Sequence, residues 1–148
     1  MKYTNQHQSL GHLTGLASRL FNRLLTQRFK QANIELTAEQ WGVIVELSAR
    51  QTMTQAELCE CLYLEKSSVS RSVDGLEKRG WIVRKRSPLD SRAKLVELTE
   101  KSYAAVEECT CIAASVLEDA QRDIESNQLV ESKVLLSQVI TNLRLLIK

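Results

Sequence analysis

The chain has 148 residues, 43% of them hydrophobic and 26% charged, with a formal net charge of +2. That length suits one domain, or one small domain with helical extensions, and a core of this size needs no disulfide or metal to hold it. One proline and five glycines exclude a many-turned β architecture, so helix is expected to dominate.

The elements follow in chain order. Leu10, Leu13, Leu16, Ala17, Leu20 and Leu24 recur at helical spacing and predict one amphipathic helix over about residues 8–31. Thr37 and Gln40 are spaced as a capping box for a helix ending near Ala49. Thr54 and Glu57 repeat the device for a short helix to about Leu62. After a tight connection comes EKSSVSRSVDGLEKRGW, a helix stopped at Gly80 in the C′ position that glycine favours. WIVRKR and AKLVEL are β-compatible runs joined by SPLDSR, a turn sequence, and read as a hairpin. Thr99 then caps a helix to about Arg122, and a last helix carries Leu135, Leu136, Val139, Ile140, Leu143 and Ile147. No apolar run approaches the length that spans a bilayer, and the polar start MKYTNQHQ is no signal peptide. A cytoplasmic protein with reduced thiols is expected.

Two short helices joined by a tight turn and followed by a basic hairpin describe a winged helix-turn-helix. The expected fold is mainly α: this core with a two-stranded β wing, flanked by N- and C-terminal dimerisation helices. The DNA-binding domain would span 35–99, and the helical dimerisation region 1–34 and 100–148. Charge agrees with a polyanion partner. Between Lys66 and Lys94 stand nine basic and three acidic residues, a balance of +6 that leaves −4 for the rest of the chain. The alternative for a charge run alone is a solvated face, but this run has an internal pattern.

In a helix-turn-helix the N-terminal part of the second helix meets base edges in the major groove. Ser67, Ser68 and Ser70 are small enough for close approach and able to donate to phosphates or bases, and Arg71 can reach a guanine edge. Serines serving only as caps are the alternative, and one serine would have been enough for that. Val69, Val73 and Leu76 form the face that packs on the preceding helix. In the hairpin, Arg84 and Arg86 alternate onto one face, and Arg92 at the tip suits a narrow minor groove, with Asp90 two residues away to hold it. A solvated tip with an incidental ion pair is the competing description.

LTAEQW, TQAELCECL, KSSVSRSVDGLEKRGWIVRK and SPLDSRAKLVELT, in this order and spacing, resemble the MarR family of bacterial transcription regulators over about Leu36 to Thr99. The resemblance implies a DNA-binding regulator, with Ser67, Ser68, Ser70 and Arg71 on the recognition helix and Asp90, Arg92 and Lys94 on the wing. It also implies a homodimer released from DNA by a small effector, often aromatic or phenolic, bound between the lobes. Two positions depart from the family pattern. Ser91 stands where another arginine is common, and Gly75 stands mid-helix at a cost of roughly 1 kcal/mol relative to alanine, for no reason visible in the sequence.

The terminal helices are too apolar to stand alone, so pairing them between two copies would bury both stripes; a monomeric bundle is the alternative. Two recognition helices about one DNA turn apart, roughly 34 Å, then imply a palindromic operator on double-stranded DNA. Cysteines two apart on a helix point about 200° away from each other, so neither Cys59/Cys61 nor Cys109/Cys111 chelates one ion, and neither a metal nor a cofactor is expected. Cys59 and Cys109 read as small core residues. Cys61 and Cys111 are candidate redox sensors, although nearby carboxylates disfavour a reactive thiolate. His12 and Trp41 are candidate walls of an effector cleft, against the plainer descriptions of a surface histidine and a core aromatic.

The resulting expectation is a homodimeric transcription regulator, a repressor released by an effector. A thiol-based redox-sensing regulator and a non-specific architectural DNA-binding protein are the alternatives. An enzyme is not expected, since no nucleophile, phosphate loop or carboxylate pair occurs in a catalytic context.

Overall fold

The computed structural model describes residues 6–147. A 3-10 turn at Gln6–Gln8 leads into α1 (Leu10–Gln31), followed by α2 (Ala38–Arg50), β1 (Thr52–Thr54), α3 (Gln55–Leu62) and α4 (Lys66–Lys78). The strands β2 (Ile82–Arg86) and β3 (Lys94–Leu98) precede α5 (Glu100–Ala120) and α6 (Ser126–Leu146). Two compact units divide the chain, Met1–Ala113 and Ala114–Lys148.

Local chemistry sets most of these boundaries. Thr37 accepts from the Gln40 amide while Gln40 Oε1 accepts from the Thr37 amide, both at 3.1 Å, completing the box that starts α2. Thr54 accepts from the Glu57 amide at 3.1 Å and starts α3. The helix-turn-helix bends at Tyr63, which is left-handed at φ 54°. At the far end of α4 the Trp81 amide reaches Leu76 O at 2.9 Å and the Gly80 amide reaches Glu77 O at 3.0 Å, a Schellman closure with Gly80 at φ +80°.

The wing is one strand richer than expected. β3 lies between β2 and the short β1, and β1 pairs Thr52 with Glu97, Met53 with Val96 and Thr54 with Leu95. Three residues show no strand period, and Thr54 also caps a helix, so only the partner strand reveals β1. Met53 is fully buried there, and with Phe29, Ile44, Leu47, Leu58, Val69, Val73, Leu76, Ile82 and Val96 it belongs to one core. Val69, Val73 and Leu76 share this core with Leu58, and α4 hides that side completely. Fully burying a side chain of this kind is worth about 1.5–3 kcal/mol.

The terminal elements are different. Along α1, Leu10, Leu13, Leu16, Leu20 and Phe21 are exposed. No residue of α6 is buried, and Val130, Val134, Leu135, Leu136, Ile140 and Leu143 stand open on it. Among the described residues no helix is long and apolar enough to cross a membrane.

Candidate nucleic-acid interface

The face of α4 opposite its buried valines presents Ser67 and Arg71 to solvent, with Ser68 and Ser70 half-exposed. Glu65 at the N-cap makes no side-chain capping bond, and no acid lies in the first turn. The first amides of α4 are therefore open to an acceptor such as a phosphate oxygen, and the positive end of the helix dipole is not countered by a first-turn acid.

The rest of α4 is fastened to the body. The Ser72 hydroxyl donates to Glu39 Oε1 at 2.8 Å. Gly75 now has an explanation: a Cβ there would meet Gln40 Nε2 at 2.8 Å. Gln40 is buried, and its Oε1 already accepts from the Thr37 amide and from Arg79 Nη1 at 3.4 Å, so the glycine leaves room for a side chain in use elsewhere.

The wing's cations divide into two groups. Arg84 shares a side of β2 with Arg86, but it turns inward and is not the DNA contact expected of it. Its guanidinium donates to Asp74 Oδ1 at 2.7 Å, to Glu77 Oε1 at 3.0 Å and Oε2 at 3.2 Å, and to Gln55 Oε1 at 3.2 Å. With only 19% of its side chain exposed, Arg84 ties β2 to α4 and α3 instead of reaching outward. The Arg84 hydrogen bonds hold the Glu77 carboxyl below its ordinary range, and those it donates to Glu77 and Asp74 hold the guanidinium above its own. Lys85 is likewise paired, with Glu97 Oε2 at 2.8 Å.

Nearer the tip, Arg86, Arg92 and Lys94 are exposed. Arg86 and Lys94 lie directly opposite each other across the ladder, a like-charge pair that is unfavourable unless an anion relieves it. Arg92 and Lys94 line a notch of about 320 Å³ with Gln55 and Ala56 at the start of α3. Asp90 does not hold the Arg92 guanidinium, as expected of it. It accepts from the Arg92 backbone amide at 3.0 Å and shapes the turn.

The remaining candidates are dispersed. Trp41 is half-buried and meets Phe29 edge to face at 5.9 Å, a packing contact. His12 is exposed, its ring edge-on to that of His7 at 5.4 Å. Neither lines the cleft of about 440 Å³ at the α1–α2 corner, which Lys30, Ile34, Glu35, Leu36 and Arg79 form. No local pattern along the chain marks that cleft, because its charged residues converge only in three dimensions. Cys61 is half-buried; burial first, then the Glu46 carboxylate, pushes its thiol up, which favours the less reactive protonated form. Cys109 is buried and Cys111 exposed. Among the described residues no group of three histidine, cysteine or acidic side chains could hold a metal ion.

A serine-faced helix with open first amides, next to a hairpin whose outer cations form no ion pair among the described residues, defines a winged helix-turn-helix DNA-binding protein. A model of the MarR family matches residues 34–93. An HTH-type transcriptional regulator of Bacillus cereus is 33% identical over 122 residues, 80% of this chain and 77% of its own. The multiple antibiotic resistance protein MarR of Escherichia coli is 26% identical over 92% of this chain and 94% of its own. A cysteine-to-serine mutant of that protein, solved with operator DNA, superposes with a TM-score of 0.81 at 24% identity, covering 94% of this chain and 99% of its own. The chain belongs to the MarR family. It is a DNA-binding transcription regulator and not an enzyme.

Proposed function

We propose that the chain is a cytoplasmic, homodimeric repressor that binds a palindromic operator and is released by a small aromatic or phenolic effector. The observation that carries this reading is the two-sidedness of α4, whose Val69, Val73 and Leu76 are wholly buried while Ser67 and Arg71 are open. In the complex Arg71 reads a base edge, the three serines and the first α4 amides take phosphates, and Arg92 enters the minor groove with Arg86 and Lys94 on the flanking backbone. Arg84 and Asp90 serve from within, one fixing the wing's root and the other its tip.

The exposed leucines of α1 and the open apolar residues of α6 support pairing between two copies, with 1–34 and 100–148 as the dimerisation region and 35–99 as the DNA-binding domain. The cleft at the α1–α2 corner, of a size suited to small ligands, is the better location for an effector than His12 or Trp41.

Selection from a random duplex library, with stoichiometry recorded, tests the reading. An inverted repeat bound by two chains is expected. Binding to any duplex alike, falling only with salt, would replace it with an architectural role. Arg71→Ala should cost about 1–3 kcal/mol of specific binding and relax one position of the repeat; unchanged discrimination would remove Arg71 from base reading.

A further inference from the structure

The junction between α4 and β2 is held by the start of α5 through three successive carbonyls. Lys101 Nζ donates to Arg79 O at 3.0 Å. The Thr99 hydroxyl donates to Gly80 O at 2.7 Å. The buried Ser102 hydroxyl donates to Trp81 O, which also accepts from the Thr99 amide at 3.1 Å. Lys101 Nζ further lies over the Trp81 ring, 5.3 Å from its centroid. Thr99 and Ser102 are short, partly or wholly buried, and needed to close the joint. Lys101 is exposed and long, and its ammonium occupies the negative end of the α4 dipole from a different helix.

We infer that Lys101 is a positioning residue for DNA recognition: it fixes the tilt of α4 from its C-terminal end without touching DNA. The lever is long. Thirteen residues make α4 about 20 Å in length, so a tilt of about 5° at the Arg79 end moves Ser67 by roughly 1.6 Å and Arg71 by roughly 1 Å. That displacement exceeds the whole range of a good hydrogen bond, about 0.5 Å. The joint also gives α5 a direct hold on the recognition helix, so a change in the position of α5 is felt at the bases. This inference rests on the regulator reading above.

The test uses the full chain on its selected operator and measures affinity over a range of salt. Lys101→Met keeps the alkyl contact with Trp81 and removes the donor and the charge. It should lower operator affinity about fivefold, the worth of one hydrogen bond, leave the slope of log affinity against log salt unchanged, and leave dimerisation intact. Lys101→Arg, which restores a cationic donor, should recover most of the loss. A slope reduced by about one would mean that Lys101 neutralises a phosphate directly and would overturn the inference. Unchanged affinity in Lys101→Met would overturn it as well. Failure of the wild-type chain to prefer any sequence would instead refute the regulator reading. In that case faster amide exchange at Gly80–Ile82 in Lys101→Met would still support the joint, and unchanged exchange would sink it.

Discussion

The root and the tip of the wing carry the same kind of residue and use it in opposite ways. At the root, Arg84 is surrounded by Asp74, Glu77 and Gln55, and Lys85 is paired with Glu97. At the tip, Arg92 is exposed, and Arg86 and Lys94 face each other with like charge. The difference teaches that a basic segment is not a uniform surface for DNA. Its inner cations are engaged in ion pairs within the fold, and its outer ones form no ion pair among the described residues.

The largest expected contrast is in stability. Arg84→Ala strips the wing root of four hydrogen bonds and removes the guanidinium that both Asp74 and Glu77 bind. Because both acids are partly exposed, the cost should be about 1–2 kcal/mol in denaturant unfolding. Arg92→Ala should fall within about 0.5 kcal/mol of wild type in the same measurement. Equal stabilities would break the comparison.

An acid titration sharpens it. The Glu77 carboxyl is held low by Arg84, so its contribution is fully present above the unfolded value of about 4.3 and is lost as pH falls through the lower folded value. The stability gap between wild type and Arg84→Ala should therefore narrow as pH drops below about 4.3. A gap independent of pH would mean that Arg84 works by packing alone.

The smallest effect concerns the other anchor of α4. Alanine at position 75 gains up to about 1 kcal/mol in helix propensity, but its Cβ collides with Gln40 Nε2, so Gly75→Ala alone should be nearly neutral. In a Gln40→Ala background the same change should stabilise by about 1 kcal/mol. Identical effects in both backgrounds would show that Gln40 does not require the glycine.

What was legible in the sequence was what neighbouring residues decide. The caps at Thr37 and Thr54, the stop at Gly80 and the two faces of α4 each depend on residues three or four apart, and each formed as spacing required. The strand β1 was not legible, because Thr52–Thr54 becomes a strand only beside β3, more than forty residues later. Nor was the employment of Arg84, which lies ten positions from Asp74 and twenty-nine from Gln55. Alternation along β2 correctly placed Arg84 and Arg86 on one side, but it could not tell that acids from α4 wait beneath only the first. Gly75 looked like a cost until Gln40, thirty-five positions earlier, was seen to lie against it.

The most direct test of this division is the salt dependence of operator affinity in wild type, Arg84→Ala and Arg92→Ala, each at a temperature where the chain is folded. Arg92→Ala should reduce the slope of log affinity against log salt by about one, the signature of one cation withdrawn from the DNA, while Arg84→Ala leaves it unchanged. A reduced slope in Arg84→Ala with no change in Arg92→Ala would contradict the assignment of inner and outer cations.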